Sequence, residues 1–480
     1  MKNFITVFLV AFFGFLFLSS CRDDKKPEKP NIILIFADDQ CYQTVSALGN
    51  SEVITPNLDK LVEEGVTFES AFNMGGWNGA VCVASRSMLN TGRFIWRAKK
   101  VVDSGLDTLA AQGKLWGNLM RRAGYKTYMT GKWHVAVPPE KCFDTVSHQR
   151  PGMPKQTKWG YNRPKDKNDT VWRPWDKKYG GYWQGGKHWS EVLRDDAISF
   201  IEDASRQTKP FFMYLAFNAP HDPRQSPKRF VDMYPPDKIS VPETFIPEYP
   251  YKDFIGLKGL RDERLAPMPR TEYAVKINRQ EYYAIITHMD YQIGKILEAL
   301  QKSGKMDNTY IIFSADHGLA VGNHGLIGKQ NMYDHSIRVP LIITGPGVPK
   351  NKRLKMDVYL QDLMATTLDL AGVKKPEYVE FNSLMPFVEE KKSKSNYKAI
   401  YGCYVNWQRM IREDGFKLMV YPEAEKVLLY DLNNDPLEMT DLSEKPEYKT
   451  KVKMLFDDLL VLQKQMDDTL DLKPLYNKLF

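Results

Sequence analysis

Cysteine is scarce in this chain: Cys21, Cys41, Cys82, Cys142 and Cys403 are all that 480 residues contain. Their spacing fits neither a zinc site nor a dense disulfide framework. With Cys21 and Cys82 set aside for reasons given below, an odd number remains and no disulfide is expected. Long apolar runs are scarce too. The run from Phe4 to Leu18 is too short for a comfortable membrane span. No block of like charge resembles a basic arm, so nucleic acid is not expected as a partner. No internal repeat or low-complexity tract stands out. What is present, 43% hydrophobic and 26% charged residues, is ample for a large core. The net charge of +8 suits either an ordinary surface or one that draws polyanionic substrates.

The first thirty residues carry an address. Lys2 gives a positive start, the apolar run follows, and Leu18-Ser19-Ser20-Cys21 resembles a bacterial lipobox. Residues 1–20 are therefore expected to be a lipoprotein signal peptide, with Cys21 lipidated after cleavage. Residues 21–30, charged and Pro-containing, suit a solvated tether. The mature chain would be an exported bacterial lipoprotein, periplasmic or on the outer-membrane surface, held to the membrane by its lipid.

Beyond the tether, strand and helix patterns alternate. Asn31–Ala37 is a continuous apolar run of strand length, as a buried parallel strand requires. Helical spacing follows at Asn57–Glu64 and Leu106–Ala123, then a strand at Thr127–Met129. Glu191–Ala204 reads as helix and Phe211–Phe217 as strand. Gln280–Gln301 is a long amphipathic helix, with strands at Tyr310–Phe313 and Val339–Ile343. This order predicts an α/β fold with a doubly wound, mostly parallel sheet, its binding residues at the carboxyl ends of the strands. The charged stretch Glu389–Ser395 marks a boundary. It divides a catalytic α/β domain, 31–390, from a smaller C-terminal subdomain, 396–480. In the latter, short strands over Tyr397–Val420 precede a helix over Pro446–Lys464, an antiparallel sheet plus helix.

The chemistry concentrates in Cys82-Val83-Ala84-Ser85-Arg86, closed by Thr91-Gly92-Arg93. Cys82 opens a predicted helix, whose N-terminus favours anions. Arg86 lies about one turn further on, on the same face. The segment resembles the type I sulfatase signature, with Ala84 where Pro is usual. The resemblance extends over roughly residues 31–444. It implies that Cys82 is converted to formylglycine by a maturation enzyme, the Ala form suiting an anaerobic radical-type one. The hydrated aldehyde would attack the sulfur of a sulfate ester and later expel sulfate.

Asp38-Asp39 follow the first predicted strand, and Asp316-His317 follow the strand at Tyr310–Phe313. Adjacent carboxylates at a strand end are costly without a compensating cation. By the resemblance, Asp38, Asp39, Asp316, His317 and the modified residue 82 bind a hard cation, Ca²⁺ rather than Mg²⁺. His317 departs from the Asn common in the family. Gly131-Lys132-Trp133-His134, Pro220-His221-Asp222-Pro223 and Gly328-Lys329 match further family motifs. They imply that Lys132 and Lys329 bind sulfate, that His134 takes a proton from the diol, and that His221 protonates the leaving alkoxide. His188 and His324 are candidate substrate contacts. The aromatic stretch Trp159–Trp189 either stacks on sugar rings or pins an insertion to the core, and Asn406–Arg409 is placed to complete a glycan cleft. The implied activity is hydrolysis of sulfate monoesters, with a sulfated carbohydrate as substrate. Two rivals remain open at this point: a formylglycine-dependent phosphonate or phosphate ester hydrolase on the same fold, and a non-catalytic glycan-binding lipoprotein.

Overall fold

The computed structural model describes residues 29–150 and 158–480. The stretch expected to be a signal peptide, Cys21 and nearly all of the expected tether lie outside the described residues. Among the described residues no helix is long and apolar enough to cross a membrane.

The strand Asn31–Asp38 is buried along its whole length. It lies between Phe211–Pro220 and Thr309–Ala315, parallel to both. A strand covered on both faces has no polar side to show, and hence the continuous apolar run. Lys126–Lys132 and Thr145–Arg150 extend the parallel sheet on one side. On the other side Leu341–Thr344 runs antiparallel to Thr309–Ala315. Next come Val66–Phe72 and, parallel to it, Lys352–Tyr359. Among the described residues the sheet has nine strands, and its antiparallel members are Leu341–Thr344 and the short Arg338–Val339. The strand expected over Val339–Ile343 proves to be two, Arg338–Val339 and Leu341–Thr344, both paired with Val66–Phe72. Pro340 interrupts them because it has no N–H to give the ladder.

Two sets of helices cover the sheet. Pro56–Glu64, Trp189–Ser205 and Glu272–Lys302 pack on one another, as do Val81–Thr91, Trp116–Arg122 and Asp362–Leu370. The helix expected over Leu106–Ala123 is two short ones, Leu106–Ala111 and Trp116–Arg122. The chain turns between them at Gly113, whose φ of 67° a β-carbon would oppose. The long helix starts earlier than its apolar face predicted, at Glu272, where the Thr271 side chain accepts from the Ala274 N–H.

Ile400–Tyr404, Gln408–Glu413, Phe416–Tyr421 and Lys426–Asp431 form an antiparallel meander covered by the helix Lys449–Gln465. Its fifth strand is unexpected. Gly75–Gly76, from the first part of the chain, pairs parallel with Ile400–Tyr404. A β-carbon on Gly75 would meet the Cys403 carbonyl at 2.0 Å, so glycine alone permits the approach. This splice stands just before the helix that carries Cys82. Cys41, Cys82, Cys142 and Cys403 are buried free thiols.

Lys417 joins the two sheets. Its ammonium is fully buried and pairs with Asp334 and, at 2.5 Å, with Glu438. Lys417→Met takes the cation from Glu438 and leaves Asp334 only Arg412 at 3.4 Å, at a cost of about 3–5 kcal/mol. The measurement is the urea midpoint at constant slope; a midpoint equal to wild type contradicts the role.

Candidate active site

The carboxyl edge of the large sheet gathers the charges. Asp38 ends its strand, and Asp39 follows in a left-handed conformation, φ 69°. Asp316 follows Thr309–Ala315 and accepts the Asp39 N–H through Oδ1 at 3.1 Å. Lys132 ends Lys126–Lys132 just past a register shift at Gly131. A β-carbon there would lie 2.0 Å from the Ala216 carbonyl. Glycine thus lets this strand close on its neighbour and turn Lys132 inward.

Cys82 is the second residue of Val81–Thr91, a helix whose N-cap offers no side-chain hydrogen bond. Its first N–H groups and dipole favour negative charge beside the thiol. The Cys82 Sγ lies 3.8 Å from Asp39 Oδ1 and 3.3 Å from Lys329 Nζ. One turn on, the guanidinium of Arg86 is wholly buried. It donates to Asp316 Oδ2 at 2.8 Å and to the Lys132 carbonyl at 2.6 Å, and approaches Asp38 at 3.6 Å. Burial opposes its charge, but Asp316 and Asp38 outweigh burial and raise its pKa.

Lys132 pairs with Asp38, and Lys329 with Asp39 at 2.5 Å. Lys329 also lies 3.0 Å from His221 Nε2, which is 3.3 Å from Asp39. Burial holds the Asp39 carboxyl up at about 6, against the pull of His221 and Lys329. It pushes the Cys82 thiol well above its ordinary value. His134, with φ 53°, keeps a buried Nδ1 without a hydrogen-bond partner. Burial, helped by the charges of Lys132 and Arg86, pushes its pKa down to about 2, so the ring is neutral. Burial likewise takes His317 to about 4.

Ligand-capable atoms of Asp38, Asp39, Cys82 and His221 all lie within 4.8 Å of one another. His221, expected as an acid, thus stands in this group, while Asp316 and His317, expected as ligands, stand outside it. His317 Nδ1 donates to the Gly318 carbonyl at 3.1 Å, which leaves Nε2 buried and orphaned; Asp38 Oδ1 is also a buried orphan. Orphaned acceptors among crowded carboxylates fit a hard divalent cation.

The other expectations fare differently. His188 is fully buried and caps the helix Trp189–Ser205. Its Nδ1 accepts from Ser190 N–H and its Nε2 donates to the Gln225 carbonyl. Both nitrogens are spent inside the protein, so the structure makes His188 a cap where substrate contact was expected. His324 is 7% exposed and stacks on Tyr333 at 3.9 Å, and its Nε2 donates to the Glu438 carbonyl. Most of the aromatic stretch pins its insertion to the core. The Trp172 indole donates to Glu281, Tyr182 lies 2.8 and 2.9 Å from the carbonyls of Asn218 and His221, and Trp189 packs on Arg150. Trp159 and Trp407 are exposed.

Sequence reading missed the supports. Asp222 and Arg261 stand behind His221. Glu263 accepts the N–H groups of Ile327 and Gly328 and so fixes the loop that carries Lys329. Asp222 was visible in its motif; Arg261 precedes and Glu263 belongs to a single 3-10 turn, Asp262–Leu265, too short for any periodicity to mark it.

Known proteins resemble this chain over most of its length. A family model described as Sulfatase matches residues 30–373. A second, described as N-sulphoglucosamine sulphohydrolase, C-terminal, matches residues 322–465. An arylsulfatase of Clostridium perfringens is 30% identical, over 89% of this chain and 93% of that one. An N-acetylglucosamine-6-O-sulfatase of Bacteroides thetaiotaomicron is 28% identical, over 94% and 90%. A solved structure in complex with its substrate D-glucosamine-2-N,6-O-disulfate superposes with a TM-score of 0.73 at 25% identity, over 92% of this chain and 99% of that one.

Proposed function

This chain belongs to the sulfatase family and is a sulfuric ester hydrolase, and from that premise we propose that it removes sulfate from a carbohydrate of glycosaminoglycan type, using a formylglycine made from Cys82 and a bound Ca²⁺. The observation that carries the reading is the place of Cys82. It sits at an uncapped helix N-terminus with Lys329 3.3 Å away and the Asp38–Asp39 pair beside it. The relatives that act on glucosamine sulfates support the substrate class.

Formylglycine at position 82 would supply a hydrated aldehyde as nucleophile. Asp38, Asp39, Asp316 and His317 would hold Ca²⁺, which would supply a Lewis acid for sulfate oxygen. The chain's own residues do the rest. Lys132 and Lys329 neutralise sulfate oxygens, and Arg86 fixes the carboxylates. Burial excludes water and strengthens each of these contacts. His134, neutral at working pH, accepts a proton at a ring nitrogen. His221 gives one to the leaving oxygen. The two lysines beside the one ligand group found among the described residues favour sulfate over the more highly charged phosphate esters. Export, lipidation of Cys21 and maturation by a formylglycine-generating enzyme complete the proposal; they rest on the sequence.

The test has two arms. Mass spectrometry of the tryptic peptide ending at Arg86, from protein made in its native host, is expected to show an aldehyde in place of the thiol. Sulfate release from glycosaminoglycan, mucin and algal saccharides, with a phosphonate ester alongside, then defines the substrate. An intact thiol, or faster phosphonate than sulfate hydrolysis, overturns the reading.

Removal of the cation has its own signature. Adding Ca²⁺ to chelator-stripped protein, at about a hundredfold over its Kd, is expected to stabilise it by about 2.7 kcal/mol. Asp39→Asn should abolish most of that gain. Calorimetry that shows no Ca²⁺-dependent rise in Tm removes the cation from the proposal.

A further inference from the structure

His221 is held from behind by a chain of charges that the family resemblance does not supply. Its Nδ1 lies 2.9 Å from Asp222 Oδ1 and 3.0 Å from the Asp222 carbonyl oxygen. Both neighbours are acceptors, so Nδ1 carries the hydrogen and Nε2 is the nitrogen left to face the site. Asp222 is itself clamped. Arg261 reaches in from an irregular loop and donates to Asp222 Oδ1 at 3.0 Å and to Asp262 Oδ1 at 2.5 Å. Asp262 Oδ2 accepts from Gln330 Nε2 at 2.9 Å, and the same amide donates to the Gly79 carbonyl at 3.0 Å. Gln330 is the neighbour of Lys329, and Gly79 stands just before the helix of Cys82. One run of hydrogen bonds therefore ties the His221 turn, the Lys329 loop and the nucleophile helix together. Asp222 and Asp262 are buried, and Arg261 is mostly so.

We propose that Asp222, anchored by Arg261, is a positioning residue that fixes the His221 ring so that Nε2 meets the leaving oxygen of the sulfate ester. The inference rests on the function proposed above. When the sulfur–oxygen bond to the alcohol breaks, its electron pair stays on the alcohol oxygen. Here the ring acts in its imidazolium form, with a hydrogen on each nitrogen: the Nε2 proton passes to that oxygen, and the neutral ring keeps its Nδ1–H on Asp222. An alkoxide needs this proton; a nitrophenolate leaves without it. A misplaced ring therefore penalises one class of ester and not the other, which a general loss of packing cannot do.

The test compares N-acetylglucosamine 6-sulfate with 4-nitrophenyl sulfate. Asp222→Ala is expected to lower kcat on the sugar sulfate by about 10²-fold, with KM within about threefold, and kcat on the aryl sulfate by about threefold or less. Arg261→Met should show the same bias more weakly, and Arg261→Lys should recover part of it. Independently of turnover, ¹⁵N-histidine-labelled wild-type protein should show a low-field Nδ1 proton bonded to a carboxylate. Asp222→Ala should shift it upfield. Equal losses on both esters, with that proton unmoved, overturn the positioning role. Wild-type protein with matured residue 82 that releases sulfate from neither ester nor from any of the saccharides named above overturns the functional reading instead, and the proton signal still decides the geometry at His221.

Discussion

Cys82→Ala is expected to lower sulfate release by about 10⁴-fold or more, with little change in stability. The size follows from the site. The Cys82 side chain is buried, and no other nucleophile among the described residues shares its place between Lys329 and Asp39. Burial also pushes the unmodified thiol's pKa well up, which disfavours a reactive thiolate there. The stability cost is small because only the aldehyde oxygens of the matured side chain are lost from a polar pocket, about 1 kcal/mol by the cost of small core deletions. The comparison must use protein whose residue 82 has been matured, with sulfate release and the Tm measured on the same samples. A variant that keeps a tenth of wild-type turnover would exclude residue 82 as the nucleophile.

Arg86→Ala is expected to fail twice. It removes the guanidinium that bridges Asp316 at 2.8 Å, Asp38 at 3.6 Å and the Lys132 carbonyl at 2.6 Å. It also opens a cavity against Phe36, whose ring lies 5.1 Å from the guanidinium. Buried carboxylates left without this partner cost about 3–5 kcal/mol. Turnover should fall with it, because the carboxylates it holds are those proposed to grip the cation. Arg86→Lys should not rescue, since one ammonium cannot span two carboxylates and a carbonyl in the plane of a guanidinium. Denaturant midpoints separate the two effects: activity lost at wild-type stability would make Arg86 a contact to substrate alone.

Much of the site was legible because its motifs are local. Cys82 and Arg86 are four apart on one helix face, and Asp38-Asp39 and Asp316-His317 each follow an apolar strand. Such short spacings survive in a linear sequence. The strand Val66–Phe72 was not read, although its apolar residues pair on both sides in the sheet. Thr67, Glu69 and Ser70 break the apolar run that marked its neighbours, and the alternation that starts at Val66 stops at Ser70. His188 was misread for a different reason. A histidine before a helix looks the same in sequence whether it caps the helix or faces solvent, and only packing shows both ring nitrogens bonded. The aromatic stretch divided in the same way: Trp172 and Tyr182 found polar partners within the protein, while Trp159 stayed at the surface.

The residues alone determined the α/β class, the carboxyl-edge location of the charges and the family, since strand periodicity and short motifs are encoded by neighbours along the chain. Three arrangements needed the folded molecule: the splice of Gly75–Gly76 into the second sheet, the pairing of each lysine with its aspartate, and the brace from Arg261 through Asp222 to His221. Each joins segments far apart in sequence. Contacts of that kind are set by how buried surfaces and charges must be satisfied together in three dimensions, and no local pattern records them.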